Sequence, residues 1–234
     1  MTKPFVSVSR LMFIHMLLAV SLVTSSIAAG GNPPGPAGIS KSDLDAIAKK
    51  LTSSESLRVD LVQRKTSPAR PDRPVVVKGH ALFQKPDRFR WVLGEPINEE
   101  TIFNGKELFK YLPRENVAAR YSAKGQQAKE VKRVVDFVLN VESIFKAYNL
   151  VSGTREVKGA AKTVKLEFKP ANPESDEIDT LELIIDEDRG FVSRVFFTLR
   201  NKSSLAVDFS NPDRRGLTPL SFSLPASVKV NDIM

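Results

Sequence analysis

The chain has 234 residues, a formal net charge of +8, two histidines and no cysteine. Without cysteine there is no disulfide framework, no thiolate chemistry and no lipid attachment through an N-terminal cysteine. With His15 and His80 alone, neither a zinc centre nor a histidine-based triad has much to draw on.

Lys3 and Arg10 precede an apolar run, 11–27, and Ser26-Ile27-Ala28 fits a small-x-small cleavage site. This predicts a signal peptide over 1–28, cut near Ala28/Ala29, and export to a periplasm-like compartment. Cleavage removes two of the eight net positive charges. Residues 29–39, with Pro33, Pro34 and Pro36, read as a flexible linker. A single domain is expected over 40–234, long enough to bury one sizeable core.

Ser40-x-x-Asp43 resembles a capping box, and Leu44, Ile47, Ala48 and Leu51 follow at helical spacing, predicting a helix over 40–51. Strands are predicted at 57–65, 75–83 and 89–93, the last two broken at Lys85-Pro86. Between the first two, 70–74 reads as a loop, because two prolines cannot sit in a central strand. Further strands, 101–103 and 108–112, flank Asn104-Gly105, which fits a type I′ turn, and another spans 117–121. A second helix is predicted over 129–147. Val134, Phe137, Val138, Val141, Ile144, Phe145 and Tyr148 share one half of its wheel, opposite Lys132, Asp136, Asn140, Ser143 and Lys146. Period-two alternation then returns at 164–168, 181–185, 191–199 and 205–209, with a hairpin at 186–190, and the chain closes through Phe222 and 228–230. The result is about ten or eleven strands with short, antiparallel connections.

Catalytic signals are sparse. His80 sits in a strand with no Gly-x-Ser-x-Gly elbow elsewhere, and no phosphate-loop or dinucleotide fingerprint occurs. Asp186-x-Asp188-x-Gly190 lacks the remaining ligands of a calcium loop and reads as turn chemistry. The densest carboxylates, Glu99-Glu100 and 186–188, leave a secreted carboxylate-dependent hydrolase as the enzyme alternative. The positive residues are spread along the chain, not gathered in a basic block with interleaved aromatics, so nucleic acid is not an expected partner. The apolar signal is stronger. Aromatics recur in neighbouring strands (Phe83, Phe89, Trp91, Phe103, Phe109, Tyr111, Phe168, Phe196, Phe197) and read either as a filled core or as the wall of a cavity.

The ordered pattern resembles the LolA family of periplasmic lipoprotein carriers along nearly the whole chain after residue 28. The features are the short helix from Ser40 and the strand ending at Gln63. Next come Gly79-x-x-x-Phe83-x-Lys85-Pro86-x-x-Phe89-x-Trp91, the hairpin Phe103-Asn104-Gly105-Lys106 with Tyr111 downstream, and the later Phe-rich strands. Two positions depart from the family: Leu61 stands where a Phe is common, and Lys85 where an Arg tied to lid closure is typical.

The resemblance implies a mainly β fold with helices, LolA/LolB-like: an open, curved antiparallel half-barrel of about eleven strands under a helical lid. It implies a non-enzymatic chaperone, monomeric and without cofactor or metal, that takes acyl chains from an inner-membrane Lol release transporter to an outer-membrane acceptor, LolB or an equivalent. Phe83, Phe89, Trp91, Phe103, Phe109, Phe137, Val138, Val141 and Phe145 are the expected acyl-chain cavity. Lys85 is the expected lid latch, bonding carbonyls of the lid or first helix. Binding of another lipid, or sensing of envelope stress, is the alternative on the same fold.

Overall fold

The computed structural model describes residues 38–122, 125–158, 161–174 and 176–233; the signal peptide and nearly all of the linker expected from the sequence lie outside them. The first element is helix α1, Lys41–Thr52. Its capping box forms in full: the Ser40 hydroxyl accepts from the Asp43 N–H while the Asp43 carboxylate accepts from the Ser40 N–H. Ile47, Ala48 and Leu51 are its buried stripe.

Twelve strands follow in one open sheet, in the order β12-β6-β5-β4-β3-β2-β1-β11-β10-β9-β8-β7. The first half is a meander: β1 (Ser56–Ser67), β2 (Arg70–Gln84), β3 (Arg88–Leu93), β4 (Glu99–Phe103), β5 (Glu107–Leu112) and β6 (Val117–Ser122). Helices α2 (Gln126–Leu139) and α3 (Val141–Ala147) come next, then a second meander: β7 (Tyr148–Lys158), β8 (Ala161–Pro170), β9 (Ile178–Asp186), β10 (Phe191–Leu199) and β11 (Ser204–Asp213). β11 pairs with β1 and joins the halves.

Curvature follows from the contacts of α2, which touches both β6 and β10. Those strands stand seven places apart in the sheet order. A flat sheet would separate them by roughly 34 Å at about 4.8 Å per strand, and a helix of fourteen residues is only about 21 Å long. The sheet must therefore curl around the helices.

Cross-strand register defines the two faces, since side chains alternate. Leu57 pairs with Phe83, Phe83 with Phe89, and Phe89 with Phe103. Leu61 pairs with Phe209, and Val207, Val195, Leu183 and Leu166 continue the same face across the second half. This is the inner, helix-covered face. The outer face carries a smaller core, Ile102, Phe109 and Phe222, with Leu82, Leu217 and Leu224 around it. A short 3-10 turn at Pro219–Phe222 delivers Phe222 there, and β12 (Lys229–Ile233) then joins the edge at β6.

Four departures from the sequence reading have physical causes. The 129–147 helix is two helices, because Asn140 leaves helical geometry (φ −134°, ψ 61°) and starts α3 anew. Residues 70–74 belong to β2 but bulge from the ladder: Ser67 pairs with Arg70 and Lys65 with Val75, which sets Pro71 to Pro74 against Thr66 alone. The Asn104-Gly105 turn is not type I′. Gly105 alone takes positive φ, while the Asn104 side chain accepts from the N–H groups of Lys106 and Glu107, both at 2.9 Å. Finally, β12 pairs with β6 in parallel, against the antiparallel expectation; the long connection across the outer face reverses the approach that a hairpin would impose.

Candidate functional site

The inner face opposite the helices gathers most of the expected cavity residues. Phe83, Phe89, Trp91 and Phe209 form one ring cluster with centroid separations of 5.7 to 6.3 Å. Phe103 extends it through its pairing with Phe89. On the other half, Phe145 from α3 packs against Phe168 at 5.8 Å, and Phe137 from α2 meets Tyr148 edge-on at 6.0 Å. Val138 and Val141 are buried at the junction of α2 and α3.

Phe109 is a correction. It pairs with Ile102 and Arg120 on the outer face and belongs to the Phe222 core, so it cannot line the same surface as Phe83. A one-residue step along a strand turns a side chain to the other face, and its aromatic character hid that parity. Phe209, by contrast, completes the inner ring cluster and was not among the expected lining residues; its odd-numbered parity with Val207 and Leu205 was the usable signal.

The site is closed. Phe83, Phe89, Trp91, Phe103, Phe137, Val138 and Val141 are 0 to 8 % exposed beneath the helices, and Phe145 is half-buried. Entry of a ligand into this space requires the helices to move outward.

Polar contacts at the rim fasten α1. Lys85 Nζ donates to the carbonyl of Thr52 at the end of α1, and the Lys85 N–H donates to the Glu55 carbonyl at 2.9 Å. Lys50 Nζ donates to the Glu187 carbonyl. Arg214 reaches Ser54 Oγ at 2.7 Å and the carbonyls of Arg189 and Gly190 at 2.5 and 2.9 Å. These three cations gather near the negative end of the α1 dipole, and Lys50 and Arg214 line a cleft of about 500 Å³ together with Ser53, Glu55 and Arg189. At the other end of α1, Arg155 spans Asp43 and both oxygens of Glu187.

The anchor of α2 had no signal in the sequence. Asp176, in the loop before β9, accepts from Arg133 of α2, from the Tyr148 hydroxyl and from the Ile178 N–H, each at 3.0 Å. Burial pushes the Tyr148 phenol up, with Asp176 adding to the shift and Arg133 opposing it.

The catalytic alternatives find different surroundings. His80 lies on the outer face, where burial and then the neighbouring Arg58 hold it below its ordinary pKa. Glu99 pairs with Lys110 at 3.1 Å, Glu100 with Arg90 at 2.6 Å, and Asp186 caps the β9–β10 turn through Arg189. Among the described residues no group of three His, Cys, Asp or Glu side chains could hold a metal ion, and no helix is long and apolar enough to cross a membrane.

Comparison with known proteins agrees with this geometry. A search of curated proteins finds no match. Among solved structures, a conserved protein from Thermus thermophilus is 12 % identical with a TM-score of 0.52, covering 82 % of this chain and 98 % of that one. A LolA superfamily protein from Nitrosomonas europaea is 12 % identical with a TM-score of 0.38, covering 76 % and 96 %. A chain of the Pseudomonas aeruginosa MucA/MucB complex is also similar, at 12 % identity and a TM-score of 0.47, covering 81 % of this chain and 62 % of that one. The family model for the outer membrane lipoprotein carrier protein LolA matches residues 52–224, which takes in all twelve strands but β12 and both helices over the inner face, so the chain belongs to the LolA family.

Proposed function

We propose that this protein is a periplasmic carrier that shields the acyl chains of lipoproteins between an inner-membrane release transporter and an outer-membrane acceptor. The observation that supports the reading is the pairing of an inner face dominated by aromatic and aliphatic side chains with a cover fastened at its rim by polar contacts. Each exposed rim contact stabilises closure by only about 1 kcal/mol. The larger cost of opening is exposed apolar area, at about 25 cal/mol per Å². Acyl chains entering the opened space offset that cost, because each buried methylene contributes about 0.8 kcal/mol. A binder of this kind needs no catalytic group. It does need an energy-coupled donor and a tighter acceptor, since a soluble carrier does not extract such cargo unaided.

The test is site-specific photocrosslinking in cells fed radiolabelled palmitate. A photoreactive phenylalanine at Phe89, on the inner face, is expected to trap labelled lipoprotein; the same group at Phe109, on the outer face, is expected to trap none. Equal yields at both positions would reject the inner face as the site. Trapping of phospholipid or glycolipid in place of protein would shift the reading to a carrier of another lipid.

A further inference from the structure

The inner face changes character along its strands. On β3, β4 and β5 it is followed through the pairs Phe89–Phe103, Trp91–Thr101, Leu93–Glu99, Phe103–Leu108 and Thr101–Lys110. Phe89, Trp91, Leu93, Phe103 and Leu108 are buried, at 8 % exposure or less. Glu99, Thr101 and Lys110 share that face but are only half-buried, as is Ala119 beside Lys110 on β6. The helices therefore cover the Phe103 end of β4 and β5 and leave the Glu99 end part-open to solvent.

The part-open end carries an ion pair. Lys110 Nζ lies 3.1 Å from a Glu99 carboxylate oxygen, with side chains 31 % and 24 % exposed. Lys110 is two strands from Trp91, through Thr101, a separation of about 10 Å at ordinary strand spacing. One concave wall thus joins the aromatic cluster to a charge-balanced polar end within the length of a single lipid molecule.

We infer that the Glu99–Lys110 pair receives the head of the cargo and selects an uncharged ester-and-amide head, as on an N-acylated diacylglyceryl cysteine, over a phosphate-bearing one; the inference rests on the carrier reading above. The Lys110 ammonium can donate to an ester or amide carbonyl, and the Glu99 carboxylate can accept an amide N–H, without either giving up its partner. A phosphate drawn to Lys110 also meets Glu99, because the two are in contact, and the repulsion offsets the attraction. A head with its own ammonium escapes that repulsion but must shed water from two charges at a half-buried site.

Trp91 is the single tryptophan of the chain, so quenching of its fluorescence by brominated acyl chains reports occupancy of the inner face. Protein purified from the soluble fraction of cells expressing the full chain is titrated with three probes carrying the same brominated chains. They are a triacylated cysteine peptide without net charge, phosphatidylglycerol and phosphatidylethanolamine. The unmodified protein is expected to bind the lipopeptide more tightly than either phospholipid. Glu99→Gln leaves Lys110 without its carboxylate and should raise phosphatidylglycerol affinity relative to the lipopeptide about fivefold, an effect that added salt reduces. The exchange E99K/K110E restores a pair of no net charge and should return the ratio toward that of the unmodified protein. Melting curves check that both variants fold. A ratio unchanged by Glu99→Gln, or equal binding of all three probes by the unmodified protein, overturns the inference and leaves the inner face standing as a lipid site. Absence of quenching by every probe overturns the carrier reading as well.

Discussion

At the residue scale, Gly79 explains its own place in the sequence pattern. A Cβ there would lie 1.8 Å from the Val92 carbonyl oxygen, so only glycine lets β2 and β3 approach. Gly79→Ala should therefore pry apart the two strands that carry Phe83, Phe89 and Trp91, and a large drop in melting temperature would show it. The Lys85 ammonium donates to the carbonyl of Thr52, the last residue of α1. Lys85→Ala should cost about 1 kcal/mol in overall stability while speeding amide exchange in 41–52 more than in the sheet. Uniform exchange across the chain would mean that Lys85 does not fasten α1. His80 gives a pH signature. Its folded pKa is depressed below 6.5 by burial first, so the unfolded chain takes up a proton before the folded one does. Stability should be full above pH 6.5 and fall as pH drops toward the folded pKa. His80→Gln should flatten that part of a urea-midpoint profile, where the carboxylates are still ionised.

At the scale of elements, helix and strand identity was largely legible, because periods of 3.6 and 2 are set by which side chains must be buried. α1 and the meander from β1 to β6 emerge from that periodicity. β7 does not. It is a sheet-edge strand with Val151 and Val157 exposed and a bulge between Leu150 and Ser152, so it carries little alternation to read. The break at Asn140 was equally hidden, since Val138 and Val141 keep the apolar stripe continuous across it. Asp176 makes the element-level prediction. Asp176→Ala removes the tie between α2 and β7 and leaves the buried Tyr148 hydroxyl without its carboxylate. The expected cost is about 1–3 kcal/mol, read in a denaturation midpoint, together with loosened exchange in α2. Unchanged exchange in α2 would mean that packing alone seats the helix. Phe222→Ala tests the other face. A fully buried Phe in a small core should cost about 3–5 kcal/mol on truncation and release β12, while the inner ring cluster persists by aromatic circular dichroism.

At the scale of the whole molecule, the curled open sheet was legible as a class through the ordered resemblance, but its closure was not. Sequence shows that Phe83, Phe89, Trp91 and Phe137 are apolar; it does not show whether they fill the space between sheet and helices or leave it empty. That depends on pairing parity and on the path of α2 from β6 to β10, both properties of distant contacts. The buried interior makes opening the central step of the proposed function, in which cargo and helices would compete for one largely apolar face. Native mass spectrometry of the protein purified from periplasm tests this most directly. The account predicts a fraction of molecules carrying a mass that resolves on dissociation into an acylated protein, and a Phe89→Asp variant, with a charge on the inner face, lacking that fraction. Protein that is always free of cargo, or cargo retained equally by Phe89→Asp, would contradict it.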